Sequence, residues 1–517
     1  MQRKAVDSGA DKICVIAGAG SGKTHILIER LTRLVQSGVN PESILVLTFT
    51  NAAAGEMTTR YSNKNKGTTP KFGTFHAFCY SLIIKDINVR MSLQYSSVPN
   101  VATPDDIKNL RSKVRIICGT KISDAKLDDP SKLRANERFE YDIFWKQYDK
   151  SLRQSNLITF DIMCDEVCDL FKQNNPIILK YKEQYKYVMV DEFQDTGSSL
   201  WEFVQSFEES KLFVVGDYRQ ALYSFRGADS SIIKGLAKNP EWETIVLSQN
   251  YRSTQPIVDY ANKIHHFKAS DLNIDMKSDT PGEPIVFKPA FNSRNIDDVL
   301  AISSDKTDDN TVAILCRTNA EVAEMKAVLT SNNIPYITKN ANKAIIEYLL
   351  CSIDSEYCVK YLSSELSQEE YMRYLKTTAV EDITEEQFYH MFGKNCVYAS
   401  TKIIEIRSII AKESMPSLLF NKLTKYLRLN LDANIGLDCK SVEDVIYKIA
   451  DALDVQCDKG IYVGTIHSSK GLEYDVVHVI GVNGKSFPTM KNEDQQNCYY
   501  VACTRAKSKL VIWDEDL

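Results

Sequence analysis

The sequence predicts an α/β fold with two parallel sheets, each covered by helices and each interrupted by a mainly helical insertion. Short apolar strands alternate with helical segments from Lys12 to Gln249, and the same alternation restarts near Thr311. A glycine-rich loop joins the first strand to the first long helix. Strands that are apolar at every position are typical of parallel sheets with helices on both faces. A chain of 517 residues is also too long for a single core.

The strand pattern divides the chain into two cores and two insertions. Strands of the first sheet are expected at KICVIA, SILVLTFT, YKYVMVD, KLFVVGD and ETIVLSQ, and those of the second at TVAILCRTN, GIYVGTIH, DVVHVIGV and KLVIWDED. The insertions lack this strand rhythm and carry amphipathic stretches. We therefore predict a first core at 1–81 and 181–255, a helical insertion at 82–180, a second core at 256–344 and 456–517, and a small helical insertion at 345–455.

The composition is that of an ordinary globular protein, with 44% hydrophobic and 25% charged residues. No apolar run is long enough for a membrane span, and the N-terminus lacks the apolar core of a signal peptide, so neither is expected. The net charge of −5 argues against a generally basic surface but leaves open a local basic and aromatic groove for nucleic acid.

The 13 cysteines are scattered without a C-x-x-C pair, which favours reduced, mostly buried thiols in a cytosol-like compartment. For Cys164 and Cys168, four residues apart, an apolar helix face is favoured over a metal site. The expected location is the cytoplasm, or the nucleus for a eukaryotic or viral source.

The loop AGAGSGKT has the composition of a phosphate-binding P-loop. The chemistry needs inward-facing backbone N–H groups, a lysine that reaches the β/γ phosphates and a hydroxyl for Mg²⁺. An alanine can start the loop where φ is negative, so the departure from glycine at the first position is not disabling. No N-K-x-D guanine signature is present, which favours ATP over GTP. The predicted nucleotide-binding residues are Ala17, Gly18, Ala19, Gly20, Ser21, Gly22, Lys23 and Thr24.

An acidic pair, Asp191 and Glu192, follows the apolar strand YVMV. Ligands of open parallel sheets bind at the carboxyl ends of the strands. Asp191 is therefore predicted to hold Mg²⁺ together with Thr24, and Glu192 to orient or deprotonate the attacking water. Together with the P-loop, the pair predicts a hydrolase of nucleoside triphosphates.

Aromatic residues near the ends of these strands are candidates to stack on nucleic-acid bases. Stacking tolerates any sequence because every base has a π-face. The core of the protein is the alternative place for each ring taken singly. The candidates are Phe49, Phe75, Tyr223 and Phe225.

In ordered blocks along the whole chain, the sequence resembles superfamily 1 DNA helicases of the UvrD/Rep/PcrA type. The blocks are QRKAV, AGAGSGKT, LTFTNAAAGEM, FGTFHAF, VDEFQDT, VVGDYRQALYSFRGAD, LSQNYRSTQPI, CRTN, GTIHSSKGLEYDVV and YYVACTRAK. AGAGSGKT is that family's own form of the P-loop. The resemblance implies two RecA-like P-loop domains, ATP and Mg²⁺ as cofactors, and hydrolysis in a cleft between the two cores.

The resemblance also implies roles for single residues. Gln2 would read adenine, Tyr251 would stack on it, and Glu473 would add a nucleotide contact. Gln220 would sense the γ-phosphate, and Arg252 and Arg505 would be arginine fingers from the second core. Backbone and loop contacts to DNA would come from Thr50, His76, Arg226, Arg317, Asn319 and His467.

The function so implied is an ATP-dependent single-stranded DNA translocase and helicase, with the family's 3′–5′ polarity and a place in DNA repair or replication. Its substrates would be single strands and forked or tailed duplexes, with a nuclease or a repair or replication protein as partner. One alternative is an ATP-gated DNA-sensing subunit of a nuclease or defence complex. A second, a fused helicase–nuclease, is disfavoured because the sequence ends soon after Arg505.

Overall fold

The structure is a computed structural model that describes residues 1–128, 130–224, 227–264, 274–337, 349, 405–413, 415–427, 439–442, 444–446, 448–449, 460–489 and 491–517. These residues belong to two compact units. The first comprises Met1–Pro284 and Thr489–Thr504, and the second Ile285–Pro488 and Arg505–Leu517. The predicted bounds of the cores and insertions stay a proposal. Within the described ranges, no helix has both the length and the apolar character needed to cross a membrane.

The first unit is built on a six-stranded parallel sheet. In chain order, the strands of this unit are β1 (Lys12–Ala17), β2 (Ile44–Thr48), β3 (Lys71–Thr74), β4 (Asn100–Val101), β5 (Leu157–Ile158), β6 (Tyr187–Val190), β7 (Lys211–Gly216) and β8 (Glu243–Leu247). The order across the sheet is β3-β2-β6-β7-β1-β8, while β4 and β5 form a separate parallel pair. β1 and β2 are buried almost throughout, which explains their continuous apolar sequences.

Helices of the first unit lie between these strands. In chain order they are α1 (Gln2–Asp7), α2 (Lys23–Gln36), α3 (Asn51–Lys64), α4 (Phe75–Lys85), α5 (Ile87–Ser92), α6 (Pro104–Cys118), α7 (Asp124–Leu127), α8 (Arg138–Gln154), α9 (Phe160–Lys172), α10 (Pro176–Gln184), α11 (Ser198–Gln205), α12 (Ser230–Lys238) and α13 (Gln255–Ile264). In the core, Leu27 and Leu31 of α2 pack with Val15 of β1, Val46 of β2 and Phe213 of β7.

Helix α9 carries the predicted apolar face of Cys164 and Cys168. Thr159 caps its N-terminus by accepting a hydrogen bond from the backbone N–H of Ile162 at 3.3 Å. Both cysteines are buried, and they lie one turn apart on the face that also carries Val167. The expectation of an apolar helix face is confirmed.

The second unit also contains a six-stranded parallel sheet. Its strands are β9 (Val286–Pro289), β10 (Val312–Cys316), β11 (Tyr336–Ile337), β12 (Ile461–Thr465), β13 (Tyr474–Val482) and β14 (Ala506–Asp514), in the order β11-β12-β10-β13-β14-β9. Its helices include α14 (Ile296–Ser303), α15 (Asn319–Ser331) and α16 (Pro416–Leu427). The α/β prediction with two parallel sheets is confirmed.

Two further segments complete the description. Helix α17 (Glu493–Cys503) precedes β14 in the chain but belongs to the first unit. Within the range 345–455, α16 contributes Leu419, Phe420 and Leu423 to a cluster with Val445 and Ile449. Most of that range lies outside the described residues, so the predicted helical insertion there is described only in part.

A buried carboxylate, Asp86, ties three helices of the first unit together. It accepts a hydrogen bond from the Asn88 backbone N–H at the start of α5, and it contacts two side chains of α10, Tyr181 Oη at 2.8 Å and Lys180 Nζ at 2.5 Å. Its side chain is 5% exposed. Burial opposes the charged form of Asp86, but the bonds from Lys180 and Tyr181 hold its pKa below the usual value.

We expect Asp86→Asn to lower the free energy of unfolding at pH 7 by about 1–3 kcal/mol, because it weakens charge-assisted bonds at a buried site. Since the folded pKa is depressed, the wild-type advantage should be present at neutral pH and lost as the pH falls through that lowered value. Urea unfolding at several pH values measures both effects. Glu56→Gln removes an exposed carboxylate that pairs with Arg60, and it should change little. An equal loss in both variants would contradict the role of Asp86.

Candidate functional site

The carboxyl ends of the first sheet bring the predicted residues of several sequence blocks to one edge. The P-loop follows β1, Asp191 and Glu192 follow β6, and Asp217 follows β7. Phe49 follows β2 and Phe75 follows β3. Because all neighbouring strands of this sheet are parallel, their carboxyl ends meet at the same side, where ligands of such sheets bind.

The P-loop backbone depends on glycine at two positions. Gly20 has φ of +68° and Gly22 has φ of +84°, a left-handed conformation that other residues rarely adopt. A Cβ atom on Gly20 would also lie 2.7 Å from the Cβ atom of Arg252. Ala17, in contrast, is the buried last residue of β1, so its extended backbone accommodates a side chain. This explains structurally why alanine can stand at the first position of the loop.

Side chains from three other segments of the first unit hydrogen-bond to the P-loop. The Ser21 hydroxyl donates to the Gly18 carbonyl at 2.7 Å, and Gln2 Nε2 donates to the Ser21 carbonyl at 2.9 Å. Asn250 Nδ2 donates to the Ala19 carbonyl at 2.8 Å. The Ala19 N–H donates to the hydroxyl of Tyr500 in α17 at 3.4 Å. The loop is therefore held largely through its own carbonyl groups.

The assignment of Arg252 as an arginine finger from the second core stays a prediction, although its contacts group it with the first unit. Arg252 belongs to the first unit, and its Nη1 donates to the Thr504 carbonyl of the same unit at 3.2 Å. The cause is the loop after β8, where the Tyr251 backbone N–H donates to the Gly20 carbonyl at 2.9 Å and thereby holds Arg252 beside the P-loop. The ring of Tyr251 is 63% exposed.

A cavity of about 630 Å³ opens beside the start of α2. Gln2, His25 and Arg33 are among the residues that line it. Tyr251 is not among them. The predicted adenine reader Gln2 thus lines a cavity along α2 and also contacts the P-loop at the Ser21 carbonyl.

The acidic pair lies within reach of the P-loop helix. Thr24 Oγ1 donates to Asp191 Oδ2 at 3.4 Å, and the Glu192 backbone N–H donates to Asp191 Oδ1 at 2.9 Å. Burial, together with the neighbouring charge of Glu192, raises the pKa of Asp191 to about 7. Burial lowers the pKa of Lys23, although the carboxylates of Glu192, Asp217 and Asp191 oppose this shift. A lysine, a hydroxyl and two carboxylates are therefore concentrated at one point.

Glu192 has φ of +52°, which is unusual for a residue with a side chain. Such backbone conformations cluster at functional sites, where the surrounding structure holds them. Here the side chain of Gln194 hydrogen-bonds to the Glu192 carboxylate. Gln194 Oε1 in turn accepts a hydrogen bond from the Asp217 backbone N–H at 3.0 Å. Glu192 is thus oriented by a partner that also contacts the next strand.

Asp217 is fully buried and organises the turn that carries Gln220. Its carboxylate accepts hydrogen bonds from Arg219 Nε at 3.0 Å, Gln220 Nε2 at 2.9 Å and Tyr500 Oη at 3.2 Å. Although burial opposes the charge, Arg219 and Lys23 hold the pKa of Asp217 below its usual value. The Arg219 guanidinium also lies 4.6 Å from the centre of the Tyr500 ring.

Two of the predicted stacking rings lie against each other. Phe49 and Tyr223 are stacked with ring centres 4.8 Å apart and an interplanar angle of 20°. Phe49 is 37% exposed. Thr50, next to Phe49, accepts a hydrogen bond from the Ala53 N–H at 3.1 Å and so caps α3. The two rings offer an accessible aromatic surface beside the edge of the sheet.

Phe75 does not offer such a surface. It begins α4, is 7% exposed and packs against Phe203 with ring centres 5.1 Å apart. Its structure is that of a core residue, which was the alternative for each ring. His76, the next residue, is exposed and contacts the Phe160 ring edge-to-face at 5.6 Å. Phe225 and Arg226, also predicted to contact DNA, lie outside the described residues.

The other predicted residues belong to the second unit. The Arg317 backbone N–H donates to Glu321 Oε2 at 2.8 Å, and the adjacent Asn319 is exposed at the start of α15. His467 follows β12 and is half-buried. Arg505 is 2% exposed and its Nη1 donates to the Leu472 carbonyl at 3.1 Å. The remaining residue, Glu473, pairs with Lys507 at 3.4 Å.

Asp217, Arg219, Asn250 and Tyr500 are the residues that the sequence-based prediction missed. Asp217 could have been predicted from the sequence, because it follows an apolar strand in the same way as Asp191 does. Asn250 and Tyr500 act through contacts between segments that are distant in the chain, and no local pattern indicates such contacts. Arg219 pairs with Asp217 within one turn and also contacts the distant Tyr500 ring.

Family comparisons agree with this geometry. The model described as the UvrD/REP helicase N-terminal domain matches residues 1–241, and the UvrD-like helicase C-terminal domain matches residues 245–344 and 356–514. Both matched domains are of the RecA-like type expected from the resemblance.

Similar proteins include the "ATP-dependent DNA helicase PcrA" of Staphylococcus epidermidis and that of Staphylococcus aureus, each 25% identical over 99% of this chain and 82% of the relative. A "Probable DNA helicase II homolog" of Mycoplasma capricolum is 26% identical over 96% of this chain and 81% of the relative. Since the two family models together cover most of the chain, it belongs to the UvrD/REP family of helicases.

Proposed function

We propose that this helicase is an ATP-dependent translocase on single-stranded DNA that moves 3′ to 5′ and separates DNA strands. The observation that carries the proposal is the convergence of Lys23, Thr24, Asp191 and Glu192 at one edge of the first sheet. This is the arrangement needed to bind and hydrolyse a nucleoside triphosphate. The relatives named as ATP-dependent DNA helicases support ATP as the nucleotide that is hydrolysed and DNA as the substrate.

The residues at this edge fit a nucleotide with a magnesium ion. The left-handed glycines give the P-loop the backbone path of a phosphate-binding loop, in which N–H groups can turn towards phosphate oxygens. The Thr24 hydroxyl and the Asp191 carboxylate, already within 3.4 Å of each other, are oxygen donors of the kind that Mg²⁺ prefers. When bound, the ion would neutralise charge on the phosphate groups. Lys23 would contact the same phosphates from the start of α2.

Glu192 is the residue that we assign to the attacking water. Its left-handed backbone and its bond from Gln194 hold the carboxylate in one orientation. Gln220 is assigned to sensing the γ-phosphate, since it shares the Asp217 carboxylate with Tyr500, which contacts the P-loop. A change at the phosphates can thus reach the Gln220 turn through one buried carboxylate.

The DNA strand would be held mainly by stacking of its bases on aromatic side chains. Tyr223 lies three residues after Gln220 and stacks on Phe49, so movement of the Gln220 turn would change the aromatic surface offered to a base. Stacking of this kind contributes about 1–3 kcal/mol per base and tolerates any sequence. By position in the family motifs, Thr50, His76, Arg317, Asn319 and His467 are proposed to add further DNA contacts.

The remaining roles rest on the family motifs. Arg252 and Arg505 are proposed as arginine fingers, Gln2 and Tyr251 as adenine contacts, and Glu473 as a weaker nucleotide contact. Forked or tailed DNA, a nuclease or a repair or replication protein are the proposed partners. We place the activity in the cytoplasm, or in the nucleus for a eukaryotic or viral source.

Lys23→Ala and Glu192→Gln should separate nucleotide binding from turnover. Lys23→Ala should abolish ATP binding, whereas Glu192→Gln should bind ATP and lose about 10²–10⁴-fold in kcat, the usual contribution of a general base. Equilibrium binding of a fluorescent ATP analogue and DNA-stimulated ATPase rates measure the two steps. The surface variants Lys172→Ala and Glu202→Gln, which alter an exposed ion pair, are matched controls. Normal DNA-stimulated turnover in Glu192→Gln would show that another residue is the base.

Tyr500→Phe should raise the KM for ATP about fivefold, the factor that corresponds to one hydrogen bond worth about 1 kcal/mol. The reason is that the variant removes the hydroxyl that joins the Ala19 N–H to the Asp217 carboxylate. Tyr499→Phe is the matched control, because it removes the hydroxyl of the neighbouring tyrosine of α17, which bonds Tyr260 at 2.7 Å. An unchanged KM in Tyr500→Phe, or an equal rise in both variants, would contradict a link between Tyr500 and the nucleotide.

The polarity can be tested on the purified chain alone. A 3′–5′ translocase should displace streptavidin from the 5′ end of a biotinylated single strand and not from the 3′ end, in an ATP-dependent manner. Preferential displacement from the 3′ end would reverse the proposed polarity. ATPase activity that stays low with single-stranded DNA, and rises only with a partner protein, would instead favour the ATP-gated sensing subunit.

A further inference from the structure

A small cavity of about 190 Å³ opens at the amino-terminal ends of the strands of the first sheet. Lys12, the first residue of β1, and Leu212, near the start of β7, form part of its wall. The proposed nucleotide site lies at the opposite, carboxyl ends of the same strands, and none of the residues that line this cavity has a role there. Pockets for drug-sized ligands measure about 300–1,000 Å³, so this smaller cavity suits a single side chain.

Two of the protein's four tryptophans belong to the wall of this cavity. Trp201 comes from α11 and Trp242 from the segment before β8, and their ring centres lie 6.1 Å apart with an interplanar angle of 52°. Trp242 is 7% exposed, and Trp201 is half-buried. Neither indole N–H has an acceptor among the residues that the structure describes, although neither nitrogen is sealed from solvent. Because buried indoles usually donate a hydrogen bond, these two donors are available to a ligand.

The charged residues of the wall give the cavity a net negative charge. Glu208 is exposed and forms no ion pair with any described residue. Glu241 pairs with Lys12 at 3.3 Å, but both side chains are well exposed, and such pairs contribute little stability. Two carboxylates therefore face one ammonium group beside two aromatic rings. Cations bind favourably to aromatic rings of this kind, Trp most of all.

We propose that this cavity receives an arginine side chain of a partner protein. The guanidinium group is planar and weakly hydrated, so it can stack on an indole ring and at the same time donate to a carboxylate such as Glu208. The two indole N–H groups would donate to backbone carbonyl groups of the segment that carries the arginine. A free cation without a peptide backbone offers no such acceptors. Trp and Arg are also the side chains that most often dominate the energy of protein–protein interfaces.

The occupant is tested by titrating the full chain with the capped tripeptide acetyl-Ala-Arg-Ala-amide and following tryptophan fluorescence. The same peptide with citrulline keeps the shape of arginine but lacks its charge, and it should bind about tenfold more weakly. A lysine peptide and a leucine peptide should also bind more weakly than the arginine peptide. Agmatine, which carries the guanidinium group without a peptide backbone, should do the same.

Each comparison has an outcome that contradicts the proposal. Absence of a saturable fluorescence change with the arginine peptide, or equal binding of the citrulline peptide, would overturn a cationic occupant. Tightest binding of the leucine peptide would indicate an apolar side chain, and tightest binding of the lysine peptide an ammonium group. Agmatine that binds as tightly as the arginine peptide would indicate a small cationic ligand and overturn the protein partner.

The place of binding is tested with three charge variants. Glu208→Gln should weaken binding of the arginine peptide about threefold, as expected for loss of an exposed ion pair. Lys12→Gln should strengthen it, because it removes the cation that competes for Glu241. Glu209→Gln is the matched control, since Glu209 is the next residue, is exposed and does not line the cavity. Equal effects of Glu208→Gln and Glu209→Gln, or weaker binding by Lys12→Gln, would overturn the assignment to this cavity. Thermal unfolding of the three variants checks that their fold is retained.

Discussion

The buried carboxylate of Asp217 is the interaction on which the site in the first unit depends. A charge removed from water is costly unless strong partners surround it, and this one has Arg219, Gln220 and Tyr500. Those partners come from its own turn and from α17, a helix far away in the chain. The requirement to pair one buried charge therefore holds the Gln220 turn and α17 against the end of β7.

The hydrogen bonds around Asp217 also reach the P-loop and the acidic pair. Tyr500 also contacts the P-loop at Ala19, while the Asp217 N–H bonds Gln194, which orients Glu192. The P-loop, the acidic pair and the sensor turn follow three different strands, yet one bonded network joins them. Such a network has few ways to relax locally, which would suit the proposed coupling of the nucleotide to the Gln220 turn.

The edge of the sheet serves two kinds of chemistry because parallel strands deliver all their following loops to one side. β1 and β6 are followed by the groups that we propose for phosphate and water, and β2 by the exposed ring of Phe49. A cavity beside the acidic pair is lined by Glu192 and by residues of α4 and α9.

The features that depend on a local pattern could be predicted from the amino-acid sequence. The central strands were predictable because burial on both faces makes them apolar throughout, and the P-loop because its residues are consecutive. Among the missed strands, β3, β9 and β11 lie at edges of the six-stranded sheets, where partial exposure removes the continuous apolar signal. The missed β4 and β5 have only two residues each, too few for a pattern. Three features are evident in the folded protein and not in the sequence: α17 belongs to the first unit, Arg252 lies beside Gly20, and Phe75 is a core residue. Each of these depends on contacts between distant segments, which no short stretch of sequence encodes.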